Sequence, residues 1–265
     1  MLGVGHGLLE FLVNLPLPSV ALSGLPQAAS PKAAIGEAAA MGVRGVQLDA
    51  ARLGFRPREL DRSARRDLAA SLRREELALS GLDLWIPPHH FTETDRADRA
   101  IGATVAALEL AAELAGLADG APVVALTLPS DLDPGTRATL DAAAAGAGAT
   151  LADHAWPAVG VSTEGAIKPG LDPAAVILAG GDPVSAAGAH GPDLASARVT
   201  DLSARGACPA GDRSGRLDLD AYLLSLAVAG TVRHAVIDPR GLAEPIEGVR
   251  LALERWPAGL TLPNS

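Results

Sequence analysis

The stretch that decides the fold is "SPKAAIGEAAAMGVRGVQLDA", residues 30–50, in which a helical pattern gives way to an extended one. Ser30 can cap the helix, Pro31 suits its first turn and Gly42 can end it. The run "VRGVQLDA" (43–50) that follows is short and mostly apolar, as expected of a buried strand. The stretch therefore predicts one helix followed by one strand.

The same alternation of helix and strand continues along most of the chain. Residues 156–170 lack helical periodicity, so we expect the fifth helix to be shortened or absent. Short strands separated by helices indicate parallel βαβ units, and eight of them fit a (β/α)8 TIM barrel of the α/β class better than an open sheet. The predicted strands are 19–25, 43–50, 78–86, 122–128, 149–155, one ending at 170–172, one opening "ASARVTDLSARG" (195–206), and 233–238; the clearest helices are 61–77, 94–116, 216–230 and 245–256.

The amino-acid composition of the chain limits the kinds of molecule that it is expected to bind. The chain has 265 residues, of which 48% are apolar and 3% aromatic, and 22 basic against 31 acidic side chains give a formal charge of −9. An acidic surface repels a phosphate backbone, so we expect no nucleic-acid partner. The lone Cys208 permits no intrachain disulfide, which fits a reducing cytoplasm.

The N-terminal region is apolar but does not fit a signal peptide or a membrane helix. Its apolar run, residues 7–25, contains Glu10 and two prolines, and the first Lys or Arg of the chain is Lys32. A signal peptide needs a basic start, and a membrane helix needs an unbroken apolar run. We therefore expect a cytoplasmic protein without a membrane partner, in which residues 1–18 form an extension and 19–265 a single barrel domain. The extension could close the bottom of its own barrel or cover a partner subunit in a homo-oligomer.

Five segments together carry a family likeness. They are "AAAMGVRGVQLDA", "RRDLAASLRREELALSGLDLWIPPHHF", "DRADRAIGATVAALELAAELAG", "ARVTD" and "GRLDLDAYLLSL". In this order and spacing the chain resembles the xylose isomerase-like TIM barrels, also known as the sugar phosphate isomerase/epimerase or endonuclease IV-like superfamily. The resemblance covers most of residues 19–256.

The resemblance implies a divalent metal at the C-terminal end of the barrel, but this chain departs from the ligand pattern of the family. That pattern has a Glu after strand five, an Asp after strand six, a His on strand seven and a Glu after strand eight. The corresponding residues here are Asp153 with His154, then Asp172, Arg198 and Asp238. The identity of any metal is therefore unknown, and we expect metal binding to be weak or absent.

Arg198 is the most informative departure. A guanidinium group keeps its proton and has no lone pair to offer a metal. If it points into the barrel, it brings a positive charge to the place of the cation, where Asp172 and Asp238 could bind its fork. The alternative is a structural pair with Asp201 that pins the following loop.

Other candidates follow the predicted strands. Gln47 and Asp49 share one face of strand two, because alternate residues of a strand face the same way. The pair in "PPHHF", His89 and His90, follows strand three and can provide at most one ligand or base. Arg240, in the loop after strand eight, could bind a phosphate or a carboxylate. Each also has a structural explanation, as a cap, a packed side chain or a solvated charge.

These residues support two functional hypotheses, and the sequence does not decide whether the protein is an enzyme. The first is an isomerase or epimerase that acts on a sugar or polyol by a proton or hydride shift, with Asp172, Asp238 and His154 as catalytic groups. The second is a catalytically inactive, metal-free binding or regulatory barrel. In both, a small sugar-like molecule is the partner, and its contacts come from Gln47, Asp49, His89, His90, Arg198, Asp201 and Arg240. Phosphodiester cleavage is disfavoured, since the metal histidines and basic surface that it needs are missing.

Overall fold

Eight parallel strands close into a barrel. The structure is a computed structural model, and it describes residues 15–158 and 164–257. The barrel strands are β1 Leu17–Ala21, β2 Gly45–Asp49, β3 Ala78–Asp83, β4 Val123–Leu126, β5 Thr150–Asp153, β6 Ile167–Leu171, β7 Ser196–Val199 and β10 His234–Ile237. Their order around the barrel is β1-β10-β7-β6-β5-β4-β3-β2, so successive barrel strands are neighbours, and a small excursion separates β7 from β10 along the chain.

The excursion is a two-stranded antiparallel hairpin, β8 Asp201–Ser203 and β9 Gly206–Cys208, which directly follows β7. The helices pack outside the barrel, and local sequence signals fix where they begin. Ser30, Asp61, Asp133 and Asp218 each accept a hydrogen bond from a backbone N–H of the first turn that follows. The helices are α1 Pro31–Ala40, α2 Arg62–Arg74, α3 Ala97–Leu117, α4 Pro134–Ala147, α5 Pro173–Leu178, α6 Pro183–His190, α7 Leu219–Ala229 and α8 Pro245–Arg255.

The apolar core lies between the strands and the surrounding helices. Val46 and Leu48 of β2 belong to it, as do Leu108 and Leu114 of α3. Ala97–Leu117 is long and apolar enough to cross a membrane by composition. Its buried residues nevertheless pack in the same core as the strands, which is the position of an outer helix in such a barrel.

Polar side chains occupy the barrel interior below the C-terminal ends of the strands. The hydroxyls of Ser19 and Ser80 lie 2.6 Å apart. His234 is buried beside them, and burial lowers the pKa of its imidazole to about 4, so the ring is neutral at pH 7. The side chain of Gln47 is fully buried and has no hydrogen-bond partner among the described residues. The interior is thus more polar than the layer outside the strands.

The structure confirms the predicted TIM barrel, and between β5 and β6 the described residues 154–158 and 164–166 contain no helix. Other expectations were wrong in detail. The first strand starts at Leu17, inside the predicted extension, and gives way after Ala21 to a short turn. After β6 the chain forms two helices, α5 and α6, because Asp182 caps the start of a second helix. The loop expected after β7 forms the β8–β9 hairpin. Residues 1–14 of the extension lie outside the described residues.

Candidate functional site

A cavity of about 430 Å³ opens at the C-terminal ends of the strands. This end carries the active sites of TIM-barrel enzymes, because the loops after the strands converge there. The charged side chains of the cavity come from strand ends: Asp83 ends β3, Asp172 directly follows β6, and Asp238 directly follows β10. Arg198 rises from β7 between them. The cavity therefore combines residues that are far apart in sequence.

Arg198 points into the barrel and lies among three carboxylates. Its Nη2 donates a hydrogen bond of 2.9 Å to Oδ1 of Asp83. Its Nη1 lies 3.5 Å from Oδ2 of Asp172, and its Nε 3.5 Å from Oδ2 of Asp238. The side chain is only 8% exposed. The expectation that Asp172 and Asp238 would surround the guanidinium group matches this geometry, whereas Asp83 was not anticipated.

A second arginine completes the charge cluster. Arg240 binds Asp238 with its fork, through Nε at 2.9 and 3.0 Å and through a close contact of Nη2, and its Nη1 donates to Oδ2 of Asp83 at 3.2 Å. Burial alone would raise the pKa of Asp238. The hydrogen bonds from Arg240 and the charges of both arginines outweigh burial, so the pKa lies below its ordinary value. With Asp172, the cluster holds three carboxylates and two guanidinium groups, which leaves one net negative charge.

The two carboxylate oxygens of Asp172 have different partners. Its Oδ1 accepts hydrogen bonds from the backbone N–H of Ala174 at 3.0 Å and from the hydroxyl of Thr200 at 2.5 Å, so it caps α5. Its Oδ2 faces Arg198. The side chain is 20% exposed, compared with 1% for Asp83 and 4% for Asp238. It is therefore the most accessible carboxylate of the cluster.

The backbone beneath Arg198 is held by α7. The fully buried Tyr222 donates a hydrogen bond of 3.0 Å from its hydroxyl to the carbonyl of Arg198. Burial, together with the charge of Asp172, raises the pKa of this phenol well above its ordinary value, so it remains a donor. The run "GRLDLDAYLLSL", which carries part of the family likeness, thus contributes a support for the site.

His154 lies deeper than the cavity lining. Its ring fills the space left by Gly170, where a side-chain Cβ would come within 2.5 Å of the imidazole. Neither ring nitrogen has a hydrogen-bond partner among the described residues, although the backbone of Leu171 slightly favours the charged form. Burial, and then the charges of the two arginines, lower the pKa of His154 well below its ordinary value. The ring is neutral, and it is a packed interior residue instead of a group that faces a ligand.

Four predicted contact residues do not line the cavity. Gln47 is enclosed in the barrel, and Asp49 caps the following turn through the backbone N–H of Ala51. His89 and His90 lie on a short turn, Pro88–Phe91, that buries Phe91 and leaves His89 exposed and His90 half-buried. Nε2 of His90 is 2.9 Å from Nη1 of Arg96. A position after a strand end is therefore not enough to place a side chain in the cavity. At Pro88–Phe91 the turn directs Phe91 inward instead of the two histidines.

Asp201 lines the cavity, but its carboxylate is used by the backbone. Its Oδ1 accepts hydrogen bonds from the N–H groups of Leu202, Arg216 and Leu217. The predicted alternative, a pair with Arg198, is therefore replaced by an anchor for the hairpin and for the segment before α7. The hairpin also brings Cys208 to the cavity, where burial raises the pKa of the thiol to about 11 and makes it unreactive.

Trp85 is a lining residue that the sequence analysis did not select. It follows β3, and it is 64% exposed although it is among the largest apolar side chains of the chain. An indole that is this exposed and lines a cavity can contact a molecule bound there with its apolar ring. The position next to Asp83, at the mouth of a barrel, is the signal that could have identified it.

The residues of the acidic cluster do not fit a divalent metal. A metal site needs oxygen, nitrogen or sulfur lone pairs on every side of the ion, and Arg198 presents only donors at its centre. Two of the three carboxylates are buried and bound to guanidinium groups. At the fifth strand, Oδ1 of Asp153 accepts from the N–H groups of Leu128 and Ala155 instead of facing the cluster. Outside the cavity, on the loop after β3, ligand atoms of His89, His90 and Glu93 lie within 4.8 Å of one another, so that group could hold an ion.

Comparisons with known proteins identify the fold. No family model matches the chain, and no curated protein is similar to it in sequence. Among solved structures, a xylose isomerase domain protein from Planctomyces limnophilus is 13% identical with a TM-score of 0.65, and 91% of this chain and 94% of that chain are covered. D-Psicose 3-epimerase from Clostridium cellulolyticum H10, solved with D-tagatose, is 14% identical with a TM-score of 0.66, covering 90% and 97%.

A third similar structure is a xylose isomerase-like TIM barrel protein from Mycobacterium smegmatis in complex with magnesium, at 11% identity, a TM-score of 0.60, and coverage of 92% and 95%. The chain thus has the xylose isomerase-like TIM barrel fold over nearly its whole length, as the sequence resemblance implied. This fold is shared with sugar epimerases and isomerase-like proteins. The comparisons concern the fold; the arrangement of two arginines among three aspartates is described from this chain alone.

We predict that Arg198→Met destabilises the protein by about 3–5 kcal/mol at pH 7, because it leaves the guanidinium group of Arg240 alone to balance three carboxylates, two of them buried. Protonation removes the negative charge that Arg198 no longer balances, so the loss of stability shrinks as the pH falls. Urea unfolding at pH 7 and pH 5, followed by circular dichroism, measures both effects. Arg250→Met is the control, since that arginine forms an exposed pair with Glu247 at 3.4 Å. A loss of under about 1 kcal/mol that does not vary with pH would contradict the prediction.

Proposed function

We propose that the mouth of this barrel binds an uncharged, polyhydroxylated small molecule of the sugar type without the help of a metal ion. The observation that carries the proposal is the guanidinium group of Arg198 among the carboxylates of Asp83, Asp172 and Asp238. This arrangement supplies a fixed positive charge where a bound cation would otherwise balance the acidic groups. The protein is then a binding or regulatory barrel of cytoplasmic location.

The charge balance favours a neutral ligand over an anion. The cluster has one net negative charge, and both guanidinium groups already face carboxylates. To bind a guanidinium group here, the phosphate or carboxylate group of a ligand would have to displace an aspartate that already binds it. Asp238, for example, is bound by both Nε and Nη2 of Arg240. Hydroxyl groups can instead donate to free lone pairs of the carboxylates without breaking these ion pairs. Arg240 therefore acts on the ligand by orienting Asp238, and the anion-binding role expected from sequence is not part of the proposal.

Trp85 supports the same class of ligand. A sugar has polar edges of hydroxyl groups and an apolar face of C–H groups, so it needs polar groups beside a flat apolar surface. The exposed indole of Trp85 and the acidic cluster line one cavity of about 430 Å³, within the range of small-molecule sites. Aromatic rings are rigid, and they bury a large area at a low cost in conformational entropy.

An isomerase or epimerase is the second candidate, and the accessibility of Asp172 favours it. That carboxylate could remove a proton from a carbon next to a carbonyl group, while Arg198 lies close enough to stabilise the oxygen that becomes negative. The fold shared with D-psicose 3-epimerase is compatible with this chemistry, although a fold alone does not define a reaction. His154 is too enclosed to exchange protons with a ligand.

The binding proposal predicts that EDTA-treated protein binds D-psicose, D-tagatose or D-sorbitol more tightly than D-fructose 6-phosphate, measured by isothermal titration calorimetry and ligand-observed NMR. Trp85→Ala should weaken binding by about 1–2 kcal/mol, roughly five- to thirtyfold. Leu53→Ala is the matched control, because Leu53 is also 64% exposed and does not line the cavity. Preference for the phosphate ester, or binding only after magnesium is added, would refute the proposal.

The second candidate predicts exchange of a carbon-bound proton. Incubation of the same ketoses with the protein in D2O should introduce deuterium next to the carbonyl, as seen by proton NMR. Asp172→Asn should slow this exchange by roughly a hundredfold or more, because it removes the base. Trp85→Ala, which leaves the base in place, should mainly weaken binding. Ligand binding without any deuterium incorporation would leave the binding barrel and exclude proton abstraction from these sugars.

A further inference from the structure

A second cavity, of about 280 Å³, lies beside the mouth of the barrel and shares Leu84, Trp85 and Ile86 with it. Its remaining walls differ in character from those of the mouth. Small apolar side chains, among them Ala103 and Ala106 of α3, form part of its lining. The charged residues that line it are all arginines: Arg56, Arg58 and Arg99.

The three arginines converge from separate parts of the chain. Arg56 and Arg58 belong to the segment after β2, and Arg99 lies in the first turn of α3. Arg56 is held in place, because its Nε donates to the carbonyl of Ala51 at 2.8 Å and its Nη1 lies 3.4 Å from Oε1 of Glu59. Arg58 and Arg99 are exposed, and neither forms an ion pair with any described residue.

This local charge opposes that of the whole molecule. The formal charge of the chain is −9, yet here three guanidinium groups meet with Glu59 as the one ion-pair partner that the described residues provide. Because one acidic side chain does not balance three guanidinium groups, an anion bound between them is favoured. The apolar lining at the same place favours a ligand with an apolar body, since burial of such a body removes it from water.

We propose that this cavity binds an organic anion in which a carboxylate or sulfonate group is attached to a flat, apolar ring system. The acidic group lies between Arg58 and Arg99, and the ring system packs between the alanines of α3 and the indole of Trp85. The two cavities share Trp85 as a wall, but the arginines of this site do not line the acidic mouth of the barrel. Trp85 separates a cavity for neutral ligands from a cavity for anions.

The test uses 1-naphthoate as the probe and its neutral analogue 1-naphthamide as the comparison, with dissociation constants from ligand-observed NMR titrations. We expect 1-naphthoate to bind more tightly than the amide, and the difference to shrink as salt is added. Arg58→Gln and Arg99→Gln should each weaken binding about two- to fivefold, and the double variant about tenfold. Ala103→Leu, which fills the cavity without a change of charge, should weaken binding more than about tenfold.

Arg66→Gln is the matched control, because Arg66 is an exposed arginine of α2 that does not line the cavity. It should leave the dissociation constant unchanged, and circular dichroism should show all variants folded. Equal binding of the acid and the amide would overturn the proposal. So would an effect of Arg66→Gln as large as those of the cavity arginines, or binding of 1-naphthoate that survives Ala103→Leu.

Discussion

The ion pairs of Arg198 with Asp83, Asp172 and Asp238 are the interaction on which the rest of this site depends. Buried charges are tolerated only when they are paired, and three carboxylates at the end of one barrel would repel each other strongly without a cation. A guanidinium group that belongs to the chain meets this need permanently. The cost is chemical, because a guanidinium group acts on a ligand only through its N–H donors and offers no coordination position.

The register between the parallel strands brings Arg198 and its three carboxylate partners together. Strands β10 and β7 pair so that Val236 lies beside Arg198, which places Asp238 one layer higher, towards the mouth. Arg240 then reaches across the barrel to Asp83, and Tyr222 holds the backbone of β7 from the outside. The acidic cluster, the second arginine and the helix layer therefore form one connected arrangement. Below this arrangement, further polar side chains, His154 and Gln47, are enclosed in the barrel.

Much of the fold could be predicted from sequence, because it depends on local signals. Caps such as Ser30 and Asp61, and the alternation of strand and helix, indicate a barrel without long-range information. Asp83 was missed because the third strand was predicted to run to residue 86, which hid the strand end. A register shift between Val46 and Gln47, opposite Gly81 at φ 124°, also changes the alternation of β3 there. Pairs such as Arg240 with Asp83, 157 residues apart, leave no local pattern.

Electron paramagnetic resonance of added Mn²⁺ tests most directly whether Arg198 has replaced a cation. The native protein should show no saturable manganese site that depends on the barrel mouth, so Asp172→Asn and Asp238→Asn should leave the titration unchanged. A single ion per chain that binds saturably to the native protein, and is lost in either variant, would contradict the replacement.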